Sequence, residues 1–358
     1  MNYKEVLLEL VKDKKIILAT HWDADGVSSG AMVYHLIKNH IKEINTISKG
    51  EVFLITPKDI EKFEDYDYVI CVDIKPSLRL PHEKVIYFDH HPNDNVNNFK
   101  LTIYDHSYQS TSLLLYEKLL QNDKHPLYIF LALLGYFGDQ GELSDLPTEI
   151  KILADEMIPE YMRLLKSYGG GYYTVLESLV SSLNVGKRMD WSGDICLELL
   201  MAIEHPEMFC VVPQYETILR YKQHLKNLYN RPISINSSGH LDFVVIECPQ
   251  NIQGVLCARY LKKNPILIMN KRNGWYVGSM RVPDEHKLDA GILLEHLSDK
   301  IKTFDGGGHT KAGGFRFKES EIDSVLEFIS QLTEKELVEI ANSPHKEKCV
   351  QENVIVYD

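Results

Sequence analysis

Cysteine pairs, membrane spans and an excess of positive charge are all missing from this chain. Its six cysteines, at positions 71, 196, 210, 248, 257 and 349, form no Cys-x-x-Cys pair and no zinc spacing. That excludes a zinc ribbon and reads as reduced, mostly buried thiols, with a cytoplasmic location expected. Neither a signal-peptide pattern nor an apolar stretch long enough to span a bilayer is visible, so no membrane partner is expected. No internal repeat or low-complexity tract appears. Lys plus Arg number 39 against 51 Asp plus Glu, a net charge of −12. Proteins that bind long polyanions more often carry a basic surface. The deficit therefore favours short substrates or a locally basic cleft, without excluding nucleic acid.

What the chain does have is an ordered set of five carboxylates and three histidines: His21-Trp22-Asp23-Ala24-Asp25-Gly26, then Asp73, then Asp89-His90-His91, then Asp139. Each follows an apolar run. Lys15 to Thr20, Tyr68 to Val72 and Lys84 to Phe88 read as buried strands, and Val27 to Lys38 reads as an amphipathic helix, which makes His21 to Gly26 a strand-to-helix loop. Tyr128 to Phe137, before Asp139, is long enough to favour a buried helix. Three strands thus deliver polar residues at their C-terminal ends, the edge where ligands bind in an open parallel α/β sheet. Ionised Asp side chains crowded together raise one another's pKa unless cations offset the repulsion. Two divalent ions roughly 4 Å apart would do so, and such pairs activate nucleophiles beside phosphoryl centres.

In that order and spacing the residues resemble the DHH phosphoesterases, named for the triplet found here as Asp89-His90-His91, and specifically the RecJ-like or nanoRNase-like short forms with a second DHHA1 domain. The second domain's signature is matched by Gly306-Gly307-Gly308-His309, between Leu288-Asp289-Ala290 and Ala312-Gly313-Gly314-Phe315. The resemblance runs from about Lys14 to about Leu337. It implies an α/β fold, with an N-terminal parallel-sheet DHH domain and a second, smaller α/β DHHA1 domain. It also implies one metal held by His21, Asp23 and Asp73, and another by Asp25, Asp73, His90 and Asp139, with Asp73 bridging. His91 would face the substrate phosphate and Asp89 would hold the histidine loop, both counted as catalytic. Mixed imidazole and carboxylate ligation suits two Mn²⁺ ions, with Mg²⁺ the alternative. His21 stands where bacterial RecJ nucleases usually have Asp, which leans towards archaeal RecJ-like and nanoRNase-like members.

The expected organisation is a catalytic domain over 1–190, a helical linker over 191–234, a substrate-binding domain over 235–340 and a tail over 341–358. Alternating strand and helix signals run to about Ser182. Glu204 to Arg231 reads as a polar helical segment, and a second α/β unit starts with Leu241 to Ile246, Pro265 to Met269 and Trp275 to Met280. A bare Gly-Gly-Gly run is a flexible turn, but successive backbone N–H groups in such a run can also form an anion-binding nest, with His309 adding a hydrogen bond. Ser279 and Arg281 join Gly306, Gly307, Gly308 and His309 as substrate contacts by the resemblance. Asn184 and Arg188 resemble a RecJ-type segment near the domain junction and read equally as a helix-terminating turn. Arg220 to Lys226 mixes cations with an aromatic, as single-strand binders do, and reads more simply as a solvated helix face. His35, His82 and His106 lack metal spacing and read as structural or surface histidines. Val354 to Tyr357, in the tail, reads as an added edge strand or as disorder.

Three functions fit: a Mn²⁺-dependent exonuclease or oligonucleotide phosphodiesterase acting on single-stranded DNA or RNA ends or short oligonucleotides; a small-nucleotide phosphatase or cyclic-dinucleotide phosphodiesterase; and a non-catalytic scaffold. The intact ligand set argues against the third. No extra OB-like module is evident, which weakens the case for processive action on long strands.

Overall fold

The computed structural model describes residues 2–50, 54–63, 65–91, 99–121, 123, 125–139, 141–167 and 171–341. The chain divides into two units, Met1–His224 and Leu225–Asp358. The expected tail strand at Val354 to Tyr357 lies outside the described residues.

The first unit is built on five strands: β1 (Lys15–His21), β2 (Glu43–Lys49), β3 (Tyr68–Val72), β4 (Val85–Asp89) and β5 (Leu101–Tyr104). Their order is β2-β1-β3-β4-β5 and every pairing is parallel. The interiors of β1, β3 and β4 are continuous apolar runs because both sheet faces are covered. One face packs Ile17, Ala19, Val69, Cys71, Val85 and Tyr87 into a single cluster with Ile55, Ile60, Ile74 and Leu80. The chain leaves β1 for β2 on one side and returns to β3 on the other, so the strand order reverses beside β1. A crevice at the carboxyl ends of the strands is the expected ligand position at such a switch point.

Helix α1 (Ala24–Ile37) follows β1 directly and is buried at every residue except Tyr34. It begins earlier than the apolar pattern predicts. The Asp23 carboxylate accepts a hydrogen bond from Gly26 N at 3.1 Å and caps the helix, placing Asp25 inside the first turn. Thus the expected six-residue loop is short: His21 closes the strand and Ala24 opens the helix. Two further helices complete the surroundings, α2 (Thr111–Leu115), capped by Ser110, and α3 (Pro126–Gly138), the buried helix expected before Asp139.

Helix α4 (Val175–Met189) starts at Thr174 with a reciprocal capping box to Glu177 and carries Asn184 and Arg188. The helix continues past both, so Asn184 does not mark a turn. The polar segment after Glu204 is a short 3₁₀ turn, Pro206–Cys210, followed by α5 (Pro213–Tyr229).

The second unit holds a six-stranded sheet of β6 (Asn236–Ser237), β7 (Asp242–Glu247), β8 (Ile266–Arg272), β9 (Trp275–Arg281), β10 (Asp305–His309) and β11 (Ala312–Lys318). The order is β6-β7-β8-β9-β11-β10; only the β7–β8 pair is parallel. Asn273 and Gly274, at φ 48 and 78, make the tight turn between β8 and β9. One face packs Leu267, Met269, Tyr276, Met280, Phe315 and Phe317 on helix α7 (Ala290–Lys300). The other receives α6 (Gln253–Tyr260), whose Cys257 Sγ lies 3.0 Å from Ser279 O. The glycine run is a strand rather than the expected turn or nest: Gly306, Gly307 and Gly308 pair with Phe315, Gly314 and Gly313.

Candidate metal centre

Asp73 lies at the middle of the site. It follows β3 with φ +58, a left-handed conformation that Asp tolerates better than most residues, and its N–H donates to Phe88 O at 2.8 Å. This turn sends a carboxylate that is 1% exposed towards both neighbouring strand ends. Oδ2 is 3.6 Å from His21 Nδ1, which is itself 2.9 Å from Asp23 Oδ2. Oδ1 is 3.8 Å from His90 Nε2 and 3.5 Å from His91 Nδ1. His90 Nε2 in turn lies 3.0 Å from Asp139 Oδ2 and 4.0 Å from Asp25 Oδ2.

His21, Asp23 and Asp73 therefore form one group with metal-ligand spacing, and Asp25, His90 and Asp139 form another; Asp73, His90 and His91 form a third. The donor chemistry fits divalent cations. Asp73 Oδ2 is buried with no hydrogen bond among the described residues. Asp139 stands at the C-terminal end of α3, where the helix dipole disfavours a carboxylate and favours a cation.

The second coordination of Asp25 is invisible in the motif. Its carboxylate is fully buried and accepts from Thr111 N at 2.7 Å, Ser112 N at 3.0 Å and Ser29 Oγ at 3.3 Å, sitting on the N-terminus of α2. Thr111 Oγ1 donates to Asp73 Oδ1 at 2.8 Å. Asp89 organises the triplet: it accepts from His91 N at 2.9 Å and from Tyr87 Oη at 2.5 Å, and its Oδ1 is 2.8 Å from His91 Nδ1. His90 Nδ1 is 3.0 Å from Tyr108 O, a contact that orients Nε2 towards the carboxylates.

The electrostatics follow from burial and crowding. Burial, then Asp139, raises Asp25 to about 6. Burial and the charges of Asp25 and Asp23 push Asp73 well above the usual carboxylate range. For His90, burial opposes the charged form, but Asp139, Asp25 and Asp73 outweigh it and raise the imidazole to about 10. Burial also works against ionised Asp23 and Asp89, yet His21 and His91 respectively hold both below the ordinary value. Lys187, a half-buried cation next to Arg188 on α4, is lowered by burial against the opposing charges of Asp23 and Asp139.

A titration prediction follows. Asp25 and Asp73 have folded pKa values above their unfolded ones. The stability they contribute without metal is full below about 4; the share from Asp25 is lost as pH rises through about 6, and that from Asp73 as pH rises through its own raised value. A bound cation displaces those protons and the proton on His90. The rise in Tm when Mn²⁺ is added to chelator-treated protein should therefore widen between pH 5 and pH 8, the underlying stabilisation reaching about 2.7 kcal/mol at a hundredfold excess over Kd. A gain independent of pH would count against binding by these groups.

The remaining expected residues are placed as follows. Ser279 and Arg281 lie on β9 and Gly306 to His309 on β10, all in the second unit. Asn184 is half-buried, with its carboxamide oxygen lacking a hydrogen bond among the described residues. His35 is buried against Leu200 O at 2.9 Å, His82 Nε2 is 3.2 Å from Leu78 O, and His106 is exposed; none joins a metal-ligand group among the described residues. Among the described residues no helix is long and apolar enough to cross a membrane.

Residues 250–335 match the DHHA1 domain profile. Comparison with curated proteins gives no match. Among solved structures, the chain is similar to RecJ in complex with Mn²⁺ from Thermus thermophilus, at 16% identity and TM-score 0.62, covering 96% of this chain and 55% of that one. It thus spans about half of that relative's length. Exonuclease RecJ bound to manganese is similar at 17% identity and TM-score 0.61, with 96% and 95% of the two chains covered. The DHH domain of a member of a ribosomal-protein family is similar at 15% identity and TM-score 0.58, over 92% and 89%. Likeness at such identity is likeness of fold. Residues 250–335 thus form a DHHA1 domain in the second unit, the Asp89-His90-His91 triplet stands at the sheet edge of the first, and the chain has the fold of the RecJ-like DHH/DHHA1 structures.

Proposed function

We propose that the protein is a two-metal phosphodiesterase that hydrolyses single-stranded nucleic acid ends or short oligonucleotides. The observation carrying this reading is the division of Asp73: one carboxylate oxygen is directed to the His21 and Asp23 group, the other to the His90 group. His21, Asp23 and Asp73 would hold one ion, and Asp25, Asp73, His90 and Asp139 the other. Two such ions supply Lewis-acid activation of water and neutralise charge at the phosphoryl oxygens. Mn²⁺ is the preferred ion on the mixed imidazole and carboxylate donor set, with Mg²⁺ the alternative. Similar RecJ structures contain Mn²⁺ or Mg²⁺.

The protein's own groups divide the remaining work. Asp89, kept ionised by His91, fixes the His91 ring through Nδ1, which orients the ring for a substrate phosphate. Asp25 is immobilised by backbone N–H groups, so its position needs no reorganisation when substrate binds. Ser279, Arg281 and the run from Gly306 to His309 would bind the substrate away from the reacting phosphate.

A Mn²⁺ substrate panel tests the reading: end-labelled single-stranded DNA and RNA of graded length, dinucleotides, 3′-phosphoadenosine 5′-phosphate and a cyclic dinucleotide. Cleavage of single strands and dinucleotides is expected. Turnover confined to the bisphosphate or the cyclic compound would replace this reading with a small-nucleotide one, and no turnover at all would leave the scaffold reading.

A further inference from the structure

The register of the second sheet places side chains in rows across β8, β9, β11 and β10. On the face opposite the apolar cluster, Arg281 lies beside Ala312 and His309, and the next row is Ser279, Gly314 and Gly307. These two rows hold the substrate contacts already assigned. The same face continues, because residues two apart along a strand share a side. The third row is Val277, Arg316 and Asp305, and the fourth is Arg272, Trp275 and Lys318.

This continuation differs from the rest of the molecule in charge. Across the four rows Arg272, Arg281, Arg316 and Lys318 face one carboxylate, Asp305, which Arg316 Nε meets at 3.4 Å. The whole chain carries a net charge of −12, so positive charge has been concentrated here. An aromatic lies within it: the Arg316 guanidinium carbon is 5.6 Å, and Lys318 Nζ 5.8 Å, from the Trp275 ring centroid. The floor between the rows is open. A Cβ built on Gly314 would find nothing nearer than Gly278 O at 4.0 Å, and Gly314 is exposed. Helix α6 lies on the β8 side, where a Cβ on Gly254 would sit 3.4 Å from Ser279 Oγ.

We propose that this face is a track for a single nucleic acid strand beyond the nucleotide held at Ser279, Arg281 and His309, with Trp275 as a stacking post and Arg272, Arg316 and Lys318 as phosphate contacts. The proposal rests on the strand-cleaving function above. Single-strand sites combine a positive surface that follows the backbone with aromatic rings on which bases stack, each stack being worth roughly 1–3 kcal/mol. From Arg281 to Trp275 is six residues of strand, about 20 Å at about 3.3 Å per residue. A dinucleotide held at Arg281 is too short to reach Trp275, whereas a 12-mer is long enough.

The test compares kcat/KM on a labelled 12-nucleotide single strand and on a dinucleotide, with Mn²⁺, for the full chain and three variants: Trp275→Ala, Trp275→Phe, and Arg272→Glu with Lys318→Glu. A tenfold or greater loss on the 12-mer is expected for Trp275→Ala and for the double charge reversal, with dinucleotide turnover within twofold and the Phe variant near the parent. The double reversal should also flatten the salt dependence of 12-mer binding by about 0.7 in log–log slope for each phosphate that is no longer neutralised. Equal losses on both substrates, or undiminished 12-mer cleavage, would overturn the track, the latter also being the result if the face docks a protein instead. A parent enzyme that turns over small nucleotides but no strand would fail the strand-cleaving reading itself, a result separable from the variant comparison.

Discussion

Replacing Asp73 with Asn should reduce Mn²⁺-dependent phosphodiester cleavage by a factor of a thousand or more while raising the Tm of the chelator-treated protein. The two effects have one cause. The carboxylate is 1% exposed, lies among Asp23 and Asp25, and has its pKa pushed far up by burial and by those charges. Ionised without a cation, it is a buried charge in a field of like sign, an arrangement that costs several kcal/mol. Asn keeps the shape, still accepts from Thr111 Oγ1, and tolerates the φ of +58 that would strain Ala. It loses the charge through which one residue can serve two cations. A factor of a thousand is about 4 kcal/mol of barrier, within the several kcal/mol that Lewis-acid stabilisation supplies. Measuring kcat/KM with Mn²⁺ and Tm with chelator separates the parts. Near-parent activity in a folded variant would sink the bridging role. Lost activity with a lowered Tm would mean that Asp73 supports the fold rather than the ions.

The buried middle of the first sheet was readable from the sequence because β1, β3 and β4 are covered on both faces and so appear as continuous apolar runs. The edge strands were not. In Glu43–Lys49 most residues are only half-buried and polar side chains interrupt the pattern, while Leu101–Tyr104 is too short to stand out. The site divides in the same way. The Asp and His residues stand at strand ends and a helix end, where order along the chain predicts meeting in space. The donors that hold Asp25 are backbone N–H groups of Thr111 and Ser112, and a backbone donor leaves no side-chain signature. The glycine run misleads for a different reason: local propensity reads three glycines as a turn, but pairing with β11 draws them into a strand. Lys187 could have been noticed three residues after Asn184, one helical turn along α4. Nothing in its immediate neighbours indicates that the carboxylates it faces, Asp23 and Asp139, cap α1 and α3.

Gly135→Ala offers the sharpest contest between local and tertiary effects. It sits inside α3, where Ala is favoured over Gly by about 1 kcal/mol, so helix propensity alone predicts a more stable protein. The packing predicts the reverse. A Cβ at this position would overlap Ser112 Oγ and Asp25 Oδ1 and lie 2.6 Å from Ser112 Cβ. Neither neighbour is a flexible tip that can swing away. Ser112 Oγ donates to Ala132 O at 2.9 Å, and Asp25 Oδ1 accepts from Ser112 N and Ser29 Oγ in a fully buried setting. Overpacking of this kind costs about 1–3 kcal/mol, enough to offset or exceed the propensity gain. Relief must move α3 away from α2 or displace the Asp25 carboxylate from its backbone donors. Either movement disturbs the group formed by Asp25, His90 and Asp139, since Asp139 caps the same helix only four residues on. The variant is therefore expected to have an unchanged or lower Tm without metal, a smaller Tm gain on adding Mn²⁺, and a tenfold or greater loss of kcat/KM. A Gly135→Ala protein that is more stable and keeps the parent's Mn²⁺ response would show that propensity dominates here and that the close approach of α3 to Asp25 has no part in positioning the centre.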